Sequence, residues 1–365
     1  MNLAFLQMRR APVRTGLLVL LVAVLLFLVE YLAAVSSSLQ ALNTGALARL
    51  GADLVVYGAG SGDSLDASRL TSAEVTAAAH VSGVAQAAAM GVAHFTVTGP
   101  GGRCELDLIG LDPGPAWPRP AAGSLPGAGQ ALADTTEVPA GLGIGRGIVL
   151  QPGGLTLRIT ALATGVRYDG LVTVWTTFAS WQRAVRAANP GGLAEPAAVA
   201  VRVRAGVPPA ALARRLAAAL PGNRVLTRSA AVADVAGAGV LQVTFGLLIA
   251  VAFLAAVLVT GSVFLLLTVQ RARTWVLLRA LGASAGRLAL AVMAQAVLVV
   301  AVACVVASGA LAVVGAVSGP GFPLRAAPSL LLSTFAAALI GALASSLLPV
   351  RRIGRLDPAA ALVRG

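Results

Sequence analysis

Four stretches of the chain are almost continuously apolar: Thr15 to about Ser36, Val240 to Val269, Leu288 to Val317 and Ser329 to Val350. A bilayer core about 30 Å thick takes about 20 apolar residues as helix, so each stretch predicts a membrane span. Glu30 is the one charge inside them. It follows Arg14 at a helical distance of roughly 24 Å and so lies toward the far interface, either as a headgroup-level carboxylate or as a group inside the bundle. Ala337, Gly341 and Ser345 recur every fourth residue in the last span, a spacing that suits close helix packing or simply an Ala-rich membrane helix.

Between the first two spans the pattern changes to short amphipathic elements punctuated by Gly and Pro. Asp53 to Val56, Phe95 to Val97 and Leu106 to Ile109 read as strands. Thr71 and Glu74 have the spacing of a capping box, which predicts a helix from there to about His80. Ser124 to Gly143, rich in Gly, Pro and Ala, reads as loop or insertion. A second set comes next: strands near Ile148–Leu150, Leu155–Ala161 and Val172–Trp175, and a helix over Trp181–Ala188. A βαβ run comes last, with strand Val199–Arg204, helix Pro208–Leu220 with Pro at its first turn, and strand Arg224–Leu226. The expected fold class is a membrane all-α unit of four transmembrane helices with an inserted α+β extracytoplasmic domain of two lobes.

Composition agrees with a lipid environment. The 365 residues are 58% hydrophobic and 11% charged, with a mean hydropathy of +0.86, where an average chain has about 25% charged residues. The net charge of +13 changes the picture only through its location. Arg9, Arg10 and Arg14 flank the first span; Arg271, Arg273, Arg279 and Arg287 lie between spans two and three; Arg351, Arg352, Arg355 and Arg364 come after the fourth. These eleven Arg face one acid, Asp357, while the short hairpin 318–328 has only Arg325. By the positive-inside rule both termini of this multi-pass membrane protein are cytoplasmic, and residues 39–238 lie outside. The excess charge therefore belongs to topology, and nucleic acid is not an expected partner.

The predicted organisation is an amphipathic N-terminal segment 1–14, span one 15–36, a stalk 37–50, the outer domain 51–228, a second stalk 229–239, span two 240–269, a cytoplasmic loop 270–287, span three 288–317, the external hairpin 318–328, span four 329–350 and a tail 351–365. The competing reading of the start as a cleaved signal peptide meets an apolar core longer than the usual 7 to 15 residues.

Every basic residue is Arg. Without Lys there is no P-loop lysine and no Schiff-base lysine, so ATP hydrolysis, if the system uses it, belongs to another chain. Cys104 and Cys304 fall in the outer domain and in a span, where they cannot pair within one chain, and both read as small buried hydrophobes. His80 and His94 lack neighbouring ligands in sequence, and the Gly-rich Gly58–Asp63 lacks a following Lys, so neither a metal nor a phosphate cradle is expected. Asp107 and Asp112 bracket a strand end and read as a solvated edge rather than an acid/base pair. No catalytic, cofactor-binding or metal residue is assigned, and the spans lack the paired groups of an intramembrane enzyme.

Three segments resemble the FtsX-like permease family, the ABC transporter class of macrolide exporters, lipoprotein-releasing permeases and the cell-division permease. One is Leu3–Leu17, with Arg9-Arg10 and Arg14-Thr15 before the span. The second is Gln270-Arg271-Ala272-Arg273 followed by Leu277-Leu278-Arg279-Ala280-Leu281-Gly282-Ala283-Ser284, similar to the family's basic run into a short amphipathic helix. Trp275, Leu278 and Leu281 fall three residues apart and can present one face to a groove in a soluble partner, with Gly282 supplying the turn. The chain departs from the family at Thr274-Trp275-Val276, where Glu-Ile-Gly is common. The third is the tail, with Pro349, Arg351-Arg352, Asp357 as N-cap, Pro358 at the first helical position, and Ala361-Leu362 before Arg364.

The resemblance implies a permease that takes up no ATP itself. Its expected partners are a cytoplasmic ABC ATPase meeting Arg271, Arg273, Trp275, Leu278, Arg279, Leu281 and Gly282, a second permease copy, membrane lipids, and an outer adaptor or cargo. It implies a place in a bacterial cell membrane, stalk helices 37–50 and 229–239 that continue spans one and two outward, and export or extraction of an amphiphilic or envelope-associated substrate by transmembrane relay; the alternative is a non-transporting regulator of a cell-wall hydrolase.

Overall fold

A computed structural model describes residues 12–99, 102–235, 238–270, 284–319, 324, 329, 331–341 and 343. The described chain divides into two compact units: an apolar helical unit, and a sheet-bearing unit spanning Ser37–Gln242, called the outer unit after its expected position.

Helix α1 (Pro12–Arg49), which belongs to the helical unit up to Ser36, begins before the first predicted span and runs on through the predicted stalk. The other helices of that unit are α6 (Ala238–Gln270), α7 (Ala285–Val317) and a shorter α8 (Leu331–Gly341). Three of them are long and apolar enough to cross a membrane: Thr15–Arg49, Gly239–Val263 and Met293–Val317. Of the expected fourth span, the described part is the 331–341 helix, and residues 344–350 lie outside the described residues. Leu18, Val22 and Leu26 of α1, one helical turn apart, pack against Ala296, Val300, Ala303 and Ala307 of α7. A Cβ at Gly341 would meet Val257 Cγ2 at 2.7 Å, so the small residue allows α8 its close contact with α6.

The outer unit is built on one hydrogen-bonded sheet. Its strands are β1 (Leu54–Tyr57), β2 (Val84–Gly99), β3 (Gly102–Leu111), β4 (Ala122–Gly123), β5 (Gln130–Asp134), β6 (Gly147–Gln151), β7 (Thr156–Ala163), β8 (Val172–Thr177), β9 (Ala198–Val203) and β10 (Arg224–Thr227). Helices α2 (Ser72–His80), α3 (Phe178–Ala188), α4 (Pro209–Ala219) and α5 (Arg228–Ala233) complete it.

The 16-residue β2 organises this sheet. Its first half pairs with β9 and so joins the open antiparallel run β10-β1-β9-β2. Its second half pairs with β3 on one side and β6 on the other. From there the pairings β3–β8, β8–β5, β5–β7 and β7–β6 return to β2, closing a ring of six strands. Alternate residues of every ring strand enter a single buried cluster: Phe95 and Val97, Leu106 and Leu108, Ala131 and Ala133, Ile148 and Leu150, Leu157 and Ile159, and Val174. This period-two pattern fills the ring with side chains, as in small barrels. The two expected lobes are thus joined through β2 in one sheet.

Local signals are realised where they were strong. Thr71 caps α2 with both arms of the capping box in place, and Pro209 occupies the first turn of α4. Leu212 and Leu216 of α4 are buried on β1 and β9 beside Leu54, Val199 and Val201. Two expectations are corrected. Ser124–Gly143 is not all loop: it contains β5, whose Ala131, Leu132 and Ala133 are fully buried between β7 and β8. Small side chains suit that crowded interior position, and their low strand propensity hid it. The second stalk is not one helix continuous with span two, because α5 ends at Ala233, is capped at its start by Thr227, and precedes α6.

Candidate functional site

The stalk end of α1 is held from several sides in the outer unit. Three backbone hydrogen bonds run sideways from the helix to segment 165–170: Ala46 N donates to Arg167 O at 2.7 Å, and Leu42 O and Asn43 O accept from Gly170 N and Asp169 N, each at 3.3 Å. Such lateral bonding requires the two backbones to touch, and Gly45 permits it. A Cβ there would fall 2.6 Å from Gly165 O and 3.1 Å from Arg167 O. Gly51 does the same just after the helix, where a Cβ would lie 2.3 Å from Pro115 O. Leu47 and Leu50 are buried in the core cluster that also holds Tyr57, Trp117 and Trp175. The Trp175 indole N–H donates to Val166 O at 3.1 Å, and Arg228 Nη1 donates to Leu50 O at 3.0 Å. Arg167 is buried with Glu137 as an ion pair, whose burial raises the Glu137 carboxyl despite the nearby guanidinium. The helix end therefore sits in a socket made by backbone contact, apolar burial and the Arg228 donor.

A second cluster joins β2, β3 and the loop after β1. His94 lies directly opposite Asp107 in the β2–β3 register; its Nδ1 is 2.6 Å from Asp107 Oδ1 and its Nε2 is 3.1 Å from Asp66 Oδ1. Tyr168 Oη donates to Asp66 Oδ2 at 3.2 Å. Asp107 is fully buried, so the expected solvated edge is corrected; Asp112 instead accepts from Ala89 N and is not drawn to Asp107. The alternation of β2 and β3 brings His94 and Asp107 face to face, a cross-strand pairing that only the register reveals. Burial pushes the Asp107 carboxyl up to about 6, against the pull of His94, with Asp66 and Asp169 adding to the rise. Burial pulls His94 down, but Asp107 and Asp66 outweigh it and hold the imidazole above its ordinary value.

Both groups bind protons more tightly folded than unfolded, so their contribution is complete below about pH 4 and is lost as pH rises through about 6 and beyond the raised His94 value. Thermal unfolding of the solubilised protein is expected to have a higher midpoint at pH 5.5 than at pH 8. Asp107→Asn should narrow that difference by a few degrees, at about 2–4 °C per kcal/mol for a unit of this size. An unchanged pH dependence in the variant would remove Asp107 from this role.

In the helical unit, Glu30 is 1% exposed and accepts from Ser308 Oγ at 3.1 and 3.2 Å. Of its two readings, the structure favours the group inside the bundle, bridging α1 to α7. Cys304, one turn before Ser308, is buried, Cys104 is half-buried, and both are free thiols. Among the described residues no group of three His, Cys, Asp or Glu is placed to hold a metal ion. The predicted ATPase-contacting residues Arg271, Arg273, Trp275, Leu278, Arg279, Leu281 and Gly282, and the tail residues Asp357 and Pro358, lie outside the described residues.

No curated protein is a significant match to the chain. Among solved structures, it is similar to the extracellular domain of the noncanonic ABC-type transporter YknZ from Gram-positive bacteria, at 14% identity and a TM-score of 0.36, over 48% of this chain and 98% of that one. The periplasmic region of MacB from Actinobacillus actinomycetemcomitans is similar at 9% identity and a TM-score of 0.37, over 50% and 92%. A domain of a protein described as a permease, from Porphyromonas gingivalis, is similar at 13% identity and a TM-score of 0.32, over 49% and 87%. Residues 246–358 match the FtsX-like permease C-terminal family. With three helices long and apolar enough to cross a membrane and a mixed sheet domain between the first two, the chain is a membrane protein whose residues 246–358 match the FtsX-like permease C-terminal family.

Proposed function

We propose that the chain is the transmembrane subunit of an ABC transporter, relaying ATP hydrolysis by a separate cytoplasmic ATPase to work on an amphiphilic or envelope-associated substrate outside the cell membrane. One observation carries the reading: a single unbroken helix, α1, contains both an apolar membrane span and the stalk end held in the outer socket. A helix of 38 residues is about 57 Å long, nearly twice the bilayer core. Displacement at its membrane end would therefore be felt in the outer unit without any pore. The Arg-rich flanks support cytoplasmic termini, and the missing Lys supports an ATPase on another chain. A second permease copy would complete a symmetric assembly on two ATPase subunits. In this reading four helices span the membrane and the two sections of the outer sheet act as lobes about β2.

Contact with the ATPase is assigned to the loop around Trp275 and Leu278. Affinity purification in mild detergent is expected to recover a roughly equimolar ATP-binding subunit, and Trp275→Asp with Leu278→Asp to lose it, since two buried charges at a groove cost several kcal/mol. Undiminished co-purification by the double variant would take the loop out of the interface.

A further inference from the structure

The outer unit contains an open cleft of about 950 Å³ beside the stalk socket. Four guanidiniums converge on it from separate parts of the fold: Arg49 from the end of α1, Arg119 from the segment after β3, Arg202 from β9 and Arg228 from the start of α5. All four are exposed, and none forms an ion pair among the described residues, whereas Arg167 and Arg224 are each held by carboxylates. Among the described residues the one acid lining the cleft, Asp53, already accepts from Val203 N at 2.9 Å. Arg202 and Arg228 are oriented by donating to Pro115 O at 3.3 Å and to Leu50 O at 3.0 Å, which leaves further N–H donors on each planar head. Like charges gathered around one concavity repel one another, and an anion between them relieves that repulsion.

Chemistry narrows the occupant. Guanidinium forks match the paired oxygens of phosphate better than they match a point charge. The volume is that of a site for a drug-sized ligand, well beyond one inorganic anion. Trp117, Pro118 and Val166 add an apolar wall to the cationic one. We propose that this cleft binds the phosphate-bearing, net anionic headgroup of an amphiphile. The inference deepens the transport reading by naming the chemistry of its cargo, and it rests on that reading only for the movement of cargo once bound.

Binding is measured on the full chain in zwitterionic nanodiscs without any ATPase, so its outcome is separate from that of the co-purification. The probes are dihexanoylphosphatidylglycerol, dihexanoylphosphatidylcholine and inorganic phosphate, titrated by calorimetry. Saturable binding of the phosphatidylglycerol is expected, with the zwitterionic lipid and free phosphate each about tenfold weaker or more. Arg49→Gln with Arg119→Gln breaks no side-chain hydrogen bond among the described residues and should weaken binding at least about tenfold. The control, Arg186→Gln with Arg214→Gln, removes the same charge from exposed helix faces and should bind as the parent does. Equal binding of the zwitterionic lipid, equal binding of free phosphate, equal loss in the control, or no binding of the anionic lipid would each overturn the proposal.

Discussion

Gly45→Val should release the stalk end of α1 from its socket, at a cost of about 3 kcal/mol. The Cβ alone would fall 2.6 Å from Gly165 O, and the atom it meets is backbone, which cannot swing aside as a side chain would. Either segment 165–170 withdraws, breaking the hydrogen bonds at Leu42, Asn43 and Ala46, or the last turns of α1 shift and uncover Leu47 and Leu50. Overpacking of this kind costs about 1–3 kcal/mol, and each lost hydrogen bond adds about 1. Amide exchange at Ala46 and Gly170 should speed up markedly. In the relay reading the variant should also leave ATPase co-purification intact while outward work falls. Gly16→Ala is the control on the same helix, because a Cβ there meets nothing within 4 Å. Protected exchange at Ala46 in Gly45→Val would show that the contact with segment 165–170 is not what holds the helix.

The other large effect is expected at the floor of the socket. Among the described residues Trp175 is the largest fully buried side chain; its ring lies 6.5 Å from that of Trp117 and its N–H satisfies Val166 O. Trp175→Ala should destabilise the outer unit by about 3–5 kcal/mol through the cavity it leaves. Trp175→Phe keeps much of the apolar volume but leaves the Val166 carbonyl without its donor, for about 1–3 kcal/mol. The ordering Ala over Phe in a urea unfolding series tests this account. Equal losses would assign the cost to the hydrogen bond rather than to packing.

The two substitutions act on one structural point. Trp175 supports Val166, the adjoining segment holds the helix at Arg167, and Gly45 lets that segment approach. Loosening either end should therefore soften the same contact, and the effects of Gly45→Val and Trp175→Ala should fall short of additive.

Three of the four spans, and the likeness of residues 246–358 to the FtsX-like permease C-terminal family, were legible directly, because both are written in contiguous residues. The apolar runs, the Arg-rich flanks, and the Arg271–Ser284 motif are local statements about length, charge and spacing. The capping box at Thr71–Glu74 and the Pro start of α4 are local too, and both stand in the structure. What only the tertiary structure decided involves residues far apart along the chain. Closure of the six-strand ring depends on β2 meeting β6, the His94–Asp107 pair on strand register, and the socket on segment 165–170 reaching α1. The Ala-rich β5 shows why: its residues have weak strand propensity, and burial between β7 and β8 makes it a strand. Periodicity records which face of an element avoids water, but not which other element covers it, and the four-Arg cleft exists only once those partners are chosen.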